Sequence, residues 1–328
     1  MSTGTSPIVV GVDGSPSSLA AVDWAVREAH ARQRPLRIVH AFLWPLYDVP
    51  LGPSVLGPAE AGLQHAAEHI VSTAVDRARQ TAPTVELSTD MPVRAPAAAL
   101  IAESAGAHLI VVGHRGLGGF AGLLLGSVGV QTAAHASCPV VVVRDSEGGR
   151  DHASEAAGHV VVGVDGSAPS SLAIDFAFSH AAHRGLGVVA VQAYPPSGVA
   201  SSDPRLAAYA DDERHDAQRR RLAEILEGHR DKFPDTPVTA KMLPGTAAAV
   251  LVQESADAVL TVVGSRGRGG FAGLLLGSTS QGLLHHATGP VAIVRARPTG
   301  RVPGGGNHTL AFAEGFTAGS AGDVPAEP

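Results

Sequence analysis

One cysteine, Cys138, occurs in 328 residues. Its solitude excludes an intramolecular disulfide and any zinc site built from several thiolates. It precedes Pro139 and a run of valines, where a small buried hydrophobe fits. Lysine is almost as scarce, with Lys232 and Lys241 the two present. No glycine-rich loop ends in Lys-Ser or Lys-Thr, which excludes a Walker-type phosphate loop, and the first half has no lysine for a Schiff base. Positive charge is in deficit, 24 Lys and Arg against 30 Asp and Glu for a net charge of -6. A generic nucleic-acid binder needs a basic excess, and there is none. Aromatic residues make up 4%. No apolar run reaches membrane-spanning length. Residues 1–7 lack the basic patch and apolar core of a secretory signal. The expectation is a cytoplasmic protein that binds neither nucleic acid nor membrane.

What is present is an internal duplication. Val9-Val10-Gly11-Val12-Asp13-Gly14-Ser15 recurs unchanged as Val161-Val162-Gly163-Val164-Asp165-Gly166-Ser167, an offset of 152 positions. The ten residues 118–127 recur as 269–278, an offset of 151. Two copies of one domain therefore stand in tandem. The boundaries expected are 1–145 for the first, a Gly-containing polar linker at 146–158, 159–297 for the second, and a disordered tail at 298–328, where large apolar residues are few.

Within the first copy, periodicity predicts a strand at 8–12, a helix started by Ser15-Pro16, a strand at 36–41, and a Pro-rich excursion through 45–58. A helix over 59–81, a weak strand near Val85, a helix over 97–105, a strand at 109–112, a helix from Ser127 and a strand at 140–143 follow. The second copy repeats the order, with strands at 160–164, 188–193, near Val238, 259–263 and 291–294. Its helices are expected near 170–184, 211–229 and 247–255, with another after the second glycine loop. Alternating strands and helices under the right-handed crossover rule predict two tandem Rossmann-like α/β domains. Each would be a five-stranded parallel sheet of order 3-2-1-4-5, covered by helices on both faces. In that order the switch point falls between the first and fourth strands, where such folds bind ligands.

Two loops would flank that crevice. The first follows the opening strand and carries Asp13 or Asp165, whose carboxylates could accept ribose hydroxyls or serve a local Asp-Gly-Ser turn and helix start. The second leaves the buried fourth strand as Gly113-His114-Arg115-Gly116, continues through Gly118 and Gly119, and reaches Gly126-Ser127-Val128. Its counterpart is Gly264-Ser265-Arg266-Gly267, then Gly269, Gly270 and Gly277-Ser278-Thr279. Side-chain-free residues expose backbone amides, can adopt positive φ, and lead into a helix N-terminus, which together make a phosphate cradle. The same glycines could also serve tight turns while Leu123-Leu124-Leu125 packs against a neighbour, but the spacing is kept in both halves. Arg115 and Arg266 could meet phosphate charge.

The spacing Gly-x2-Gly-x9-Gly-Ser, present twice, together with Val-Gly-Val-Asp-Gly-Ser, resembles the ATP-binding signature and first strand of the universal stress protein family. The resemblance spans both halves and is to a tandem, actinobacterial type of member. It implies an ATP-binding regulator of the stress or dormancy response, with Mg²⁺ accompanying the nucleotide and without robust catalysis. It places Asp13 and Asp165 at the ribose, Gly11, Val12, Gly163 and Val164 beside the nucleotide, and the backbones of Ala41 and Ala193 at adenine. Gly113, Arg115, Gly116, Gly126, Ser127 and Val128 would hold phosphates, as would Gly264, Arg266, Gly267, Gly277, Ser278 and Thr279. His114 stands where the family commonly has a small residue. Members usually pair through their fifth strands, so 140–143 and 291–294 are expected to pair within this chain, and a further homodimer is conceivable.

The alternative is a weak ATPase or nucleotide hydrolase on the same fold. The sixteen histidines are scattered, and adjacent His285 and His286 point to different helix faces, so neither metal site nor catalytic pair is expected from them. A dinucleotide oxidoreductase is disfavoured, because the first strand leads into Gly11-x-x-Gly14 rather than Gly-x-Gly-x-x-Gly. A purely structural protein that has lost its ligand fits poorly with two intact signatures.

Overall fold

Every strand among the described residues belongs to one ten-stranded sheet, in the order β3-β2-β1-β4-β5-β10-β9-β6-β7-β8. The structure is a computed structural model that describes residues 5–42, 59–117, 126–144, 158–195, 204–268 and 275–295, without the side chains of 59–63 and 204–214. All of these lie in a single compact unit, Met1–Arg297. The Pro-rich excursion, most of the linker, Gly118, Gly119, Gly269, Gly270 and the tail lie outside the described residues.

In the first half the elements are β1 (Ile8–Gly11), α1 (Pro16–Ala31), β2 (Leu36–Val39), α2 (Ala59–Thr81), β3 (Leu87–Asp90), α3 (Pro96–Glu103), β4 (Leu109–Gly113), α4 (Ser127–His135) and β5 (Val140–Val143). The second half repeats them as β6 (His159–Gly163), α5 (Ala168–Arg184), β7 (Gly187–Tyr194), α6 (Pro204–Lys232), β8 (Val238–Pro244), α7 (Ala247–Glu254), β9 (Ala258–Gly264), α8 (Ser278–His286) and β10 (Val291–Val294). Pairing within each half is parallel and of order 3-2-1-4-5, as the alternation of elements predicts. Several boundaries moved, among them the end of β2, which stops at Val39 rather than residue 41. β3 begins at Leu87 rather than near Val85, because Val85 donates its amide to Ala82 in the turn that ends α2. α6 extends beyond the expected 211–229 at both ends.

The halves meet where β5 and β10 pair antiparallel, with Val142 opposite Val291, Val141 opposite Ala292 and Val140 opposite Ile293. All four residues of each strand are buried. Such continuously apolar strands suit the middle of a sheet covered on both faces. The outer strands are different: Leu87-Ser88-Thr89-Asp90 of β3 is half exposed, and β8 carries Lys241 and Pro244, which discourage further strand addition.

Each face of the sheet carries its own core. One is formed around α1 and α5 by Val10, Trp24, Val26, Phe178 and Leu226, and runs without a break from one half into the other. The opposite core holds Leu100, Leu251, Leu283 and Leu284, together with Cys138, which is fully buried. Helix starts follow local chemistry. Ser15 caps α1 by accepting from the Ser18 amide at 3.1 Å, with Pro16 next, and Ser167 caps α5 by accepting from Ser170 at 3.3 Å. α5 ends at Gly185 in the left-handed region, φ 66°.

Candidate functional site

β1 pairs with β2 on one side and β4 on the other, so the loops leaving β1 and β4 border one crevice. β6 does the same between β7 and β9. Val12 extends the first strand's pattern by donating to Val39 at 2.9 Å, and Val164 donates to Val191 at 2.8 Å. The chain then turns through Gly14, φ 85°, and Gly166, φ 76°. Among the described residues of the loops bordering the crevices, these two glycines hold the left-handed backbone that favours glycine.

The acidic residues tie the two loops together. One carboxylate oxygen of Asp13 accepts from the Ser15 amide at 3.0 Å and its hydroxyl at 2.6 Å, while the other accepts from the Leu117 amide at 2.9 Å. Asp165 repeats this with the Ser167 amide at 2.9 Å and the Arg268 amide at 3.0 Å. Burial works to raise the Asp13 pKa, but the hydrogen bonds from Ser15, Leu117 and Ser18 outweigh it and hold the carboxyl below its ordinary value. The turn-and-helix-start role that Asp-Gly-Ser allowed is therefore present in the structure. Each oxygen has more than one acceptor direction, so the Asp165 oxygens retain capacity for a ligand hydroxyl.

The signature glycines work by close approach, and here the expectation of positive φ is corrected: Gly113, Gly116, Gly126, Gly264, Gly267 and Gly277 all lack it. A Cβ on Gly116 would collide with the Asp13 carboxylate, and one on Gly267 would lie 2.7 Å from that of Asp165. A Cβ on Gly113 would stand 2.7 Å from the Ser17 backbone, and one on Gly264 2.8 Å from that of Pro169. Gly126 and Gly277 are N-caps whose amides donate to the carbonyls of His114 at 2.8 Å and Ser265 at 2.9 Å. These bonds bring the first turns of α4 and α8, with Ser127-Val128 and Ser278-Thr279, up to the loops.

In the second half these parts enclose a cleft of about 560 Å³, within the range of small-molecule sites, about 300–1,000 Å³. Gly163, Val164, Asp165 and Ala193 line one side, and Gly264, Arg266, Gly267, Gly277, Ser278 and Thr279 the other. Ser265 does not line it; it is 4% exposed and turned inward. The cleft also takes Gln192, Tyr194, Gln218, Leu251 and Arg268. Gln218 comes from α6, far along the chain, and its Oε1 is buried without a hydrogen-bond partner. No motif marked it. In the first half, Ala41 follows β2, next to the bridge between Phe42 and Val93.

The loop arginines have companions that the sequence reading missed. Burial and then the neighbouring charge of Arg115 lower the pKa of Arg144, and burial followed by Arg266 does the same to Arg295. Arg144 also reaches into the other half, donating to the carbonyls of Leu284 at 2.8 Å and His285 at 2.9 Å in the last turn of α8. His114 Nδ1 is hydrogen-bonded to Ser17 Oγ at 2.9 Å, and Ser17 Oγ also accepts from the Arg115 amide at 3.3 Å. Ser17 is 3% exposed, so this Ser-His contact braces the loop rather than presenting a nucleophile. Among the described residues no three His, Cys, Asp or Glu gather as a metal site, and no helix is long and apolar enough to cross a membrane.

Two parallel half-sheets with crevices at their switch points, each bordered by the acidic turn and a Gly-x2-Gly-x9-Gly-Ser loop, define a duplicated Rossmann-like α/β fold. Residues 4–144 and 157–295 each match the profile described as the universal stress protein family. The chain belongs to that family. A universal stress protein of Mycobacterium tuberculosis is 37% identical over 302 residues, covering 90% of this chain and 99% of that protein. A universal stress protein from Archaeoglobus fulgidus has a similar fold, with a TM-score of 0.64 and 18% identity over 88% of this chain and 98% of that one. A universal stress protein solved in complex with cAMP matches 43% of this chain and 98% of its own, at 33% identity and a TM-score of 0.33.

Proposed function

We propose that each half binds an adenine nucleotide, ATP with Mg²⁺, at its switch-point crevice, and that occupancy regulates the protein in a stress or dormancy response without robust catalysis. The observation that carries this reading is the second-half cleft, which brings Asp165, the Gly264–Gly267 turn and the start of α8 to one space of about 560 Å³. Adenine would lie against the end of β7 near Ala193, the ribose near Asp165, and the phosphates against the loop amides, Arg266 and the first turn of α8. Mg²⁺ would be held largely by the phosphates themselves. The first half would use Gly11, Val12, Asp13, Ala41, Gly113, Arg115, Gly116, Gly126, Ser127 and Val128 in the same roles. His114 braces that loop through Ser17.

A binding role is favoured over turnover because the Asp165 carboxylate is engaged by the Ser167 and Arg268 amides, which suits holding a ligand in place. The reading also places the protein in the cytoplasm, where ATP is abundant. Mass spectrometry of small molecules released from natively purified protein, paired with calorimetric titration of stripped protein, tests it. Adenine nucleotide in the released fraction and saturable ATP binding are expected. Failure of both, or phosphate release at a sustained rate abolished by a loop substitution, overturns it in favour of no ligand or of a hydrolase.

A further inference from the structure

We infer that the two crevices are not interchangeable: the second is built to recognise the phosphate charge of its nucleotide, and the first much less so. This rests on the proposed nucleotide binding and concerns how that binding divides between the halves. The duplication supplies the comparison residue by residue. Ile70 on α2 and Arg221 on α6 occupy the same place, since a Cβ on Gly14 would meet Ile70 at 3.1 Å, and one on Gly166 would meet Arg221 Nη2 at 3.7 Å. Leu117 and Arg268 are likewise equivalent, their amides donating to Asp13 and Asp165 respectively. At the first turn of the following helix, Val128 corresponds to Thr279, which lines the second cleft.

All three differences run the same way, from an apolar side chain in the first half to a hydrogen-bond donor in the second. The Arg268 guanidinium comes within 3.8 Å of the Gly166 Cβ position, so it and Arg221 converge on one turn. Arg266 and Arg268 line the cleft together with one carboxylate, Asp165, and Arg221 approaches the Gly166 turn beside it. At the matching positions of the first half, Ile70 stands against Gly14 and Leu117, 71% exposed, donates its amide to Asp13, so Arg115 is the one arginine among the three equivalents. Arg144 and Arg295 are equivalent and leave the contrast unchanged. Guanidinium groups bind phosphate oxygens through charge-assisted, often bidentate bonds, so excess positive charge favours ATP over AMP. Because Arg221 and Arg268 face solvent, their contribution is screened by salt.

The test is calorimetric titration of the full chain with ATP and with AMP, at low and at high salt. It compares the unaltered protein with Arg221→Ile/Arg268→Leu, which installs the first half's residues, and with Ile70→Arg/Leu117→Arg, which does the converse. Two classes of ATP site are expected. The tighter class should weaken about tenfold in the first variant and with added salt, while AMP binding changes by less than about threefold. The converse variant should tighten the weaker class for ATP. A single class of two ATP sites, unmoved by either pair of substitutions, overturns the inference and leaves nucleotide binding standing. No binding of either nucleotide at either site overturns nucleotide binding, and the inference with it.

Discussion

Glu28 on α1 and His180 on α5 face each other across the join between the halves, with the Glu28 carboxylate 3.0 Å from His180 Nδ1 and both side chains buried. His180 follows Glu28 by 152 positions, the same offset that separates Val9 from Val161. The two residues are therefore equivalent in the duplication. Identical halves would set carboxylate against carboxylate here; this chain sets carboxylate against imidazole. Arg32 pairs with Glu28 and reaches Ser179 at 3.0 Å, and Trp24 stacks on His180 with ring centroids 5.8 Å apart.

Removing the Glu28 charge should be costly. Glu28→Gln leaves the Arg32 side chain, 5% exposed, without its carboxylate, and breaking a buried pair costs about 3–5 kcal/mol. Urea unfolding should show that loss, and His180→Glu, which buries two like charges together, should lose at least as much. A cost below about 1 kcal/mol would mean that water reaches the cluster.

The same cluster sets an acid limit. Burial pushes the Glu28 pKa up, but the charges and hydrogen bonds of His180 and Arg32 prevail and lower it from an ordinary 4.5 to about 2. A carboxyl with a depressed folded pKa contributes stability above its unfolded value and loses it as the pH falls towards the folded one. Stability should therefore decline between about pH 4.5 and 2. Glu28→Gln should flatten that part of the profile, as denaturant midpoints measured across the range would show.

Glycines of one signature should respond differently to alanine. Gly116→Ala and Gly267→Ala drive a methyl into the Asp13 or Asp165 carboxylate, breaking the tie between the loops and weakening nucleotide binding at that half about tenfold or more. Gly126→Ala meets nothing closer than 3.5 Å and should leave stability within about 1 kcal/mol. Gly113→Ala, against the Ser17 backbone at 2.7 Å, should cost about 1–3 kcal/mol. Thermal melts and ATP titrations of the four variants separate these effects.

Asp165→Asn tests the tie itself. An amide offers one acceptor oxygen where the carboxylate offers two, so either the Ser167 or the Arg268 amide faces an NH₂ group. The expected loss is about 1–3 kcal/mol, with ATP affinity at the second half falling alongside it. Unchanged stability and binding would show that the carboxylate is dispensable to both.

The sheet order and the position of the glycine loops were legible in the sequence, because each depends on a short pattern and the duplication gives every pattern a second reading, whereas the seam between valine-rich strands followed from the family resemblance and from the open edge an apolar fifth strand would otherwise leave. Val140–Val143 is apolar at every position, and such a strand needs cover on both edges as well as both faces. The Glu28–His180 contact was not legible, since nothing local in α1 announces a partner so far along the chain. Gln218 was hidden for a similar reason: it sits in a strongly polar helix, and only the packing of α6 over the sheet turns it to the cleft. Asp165 lines the second cleft and Asp13 ties together the two loops of the first half, and their bonds to the Arg268 and Leu117 amides depend on tertiary approach that no local pattern reveals. Among the described crevice residues positive φ falls on Gly14 and Gly166 rather than on the signature glycines, because a steric need for glycine and a conformational one look alike in a string of letters.

Joining β5 to β10 within one polypeptide changes how the paired state depends on abundance. Separate subunits associate in proportion to their concentration and come apart on dilution, whereas tethered partners see each other at an effective concentration on the order of millimolar. A few copies per cell would be as fully paired as many thousands. The two crevices would also be synthesised in fixed one-to-one proportion, so any division of labour between them is inherited as a unit.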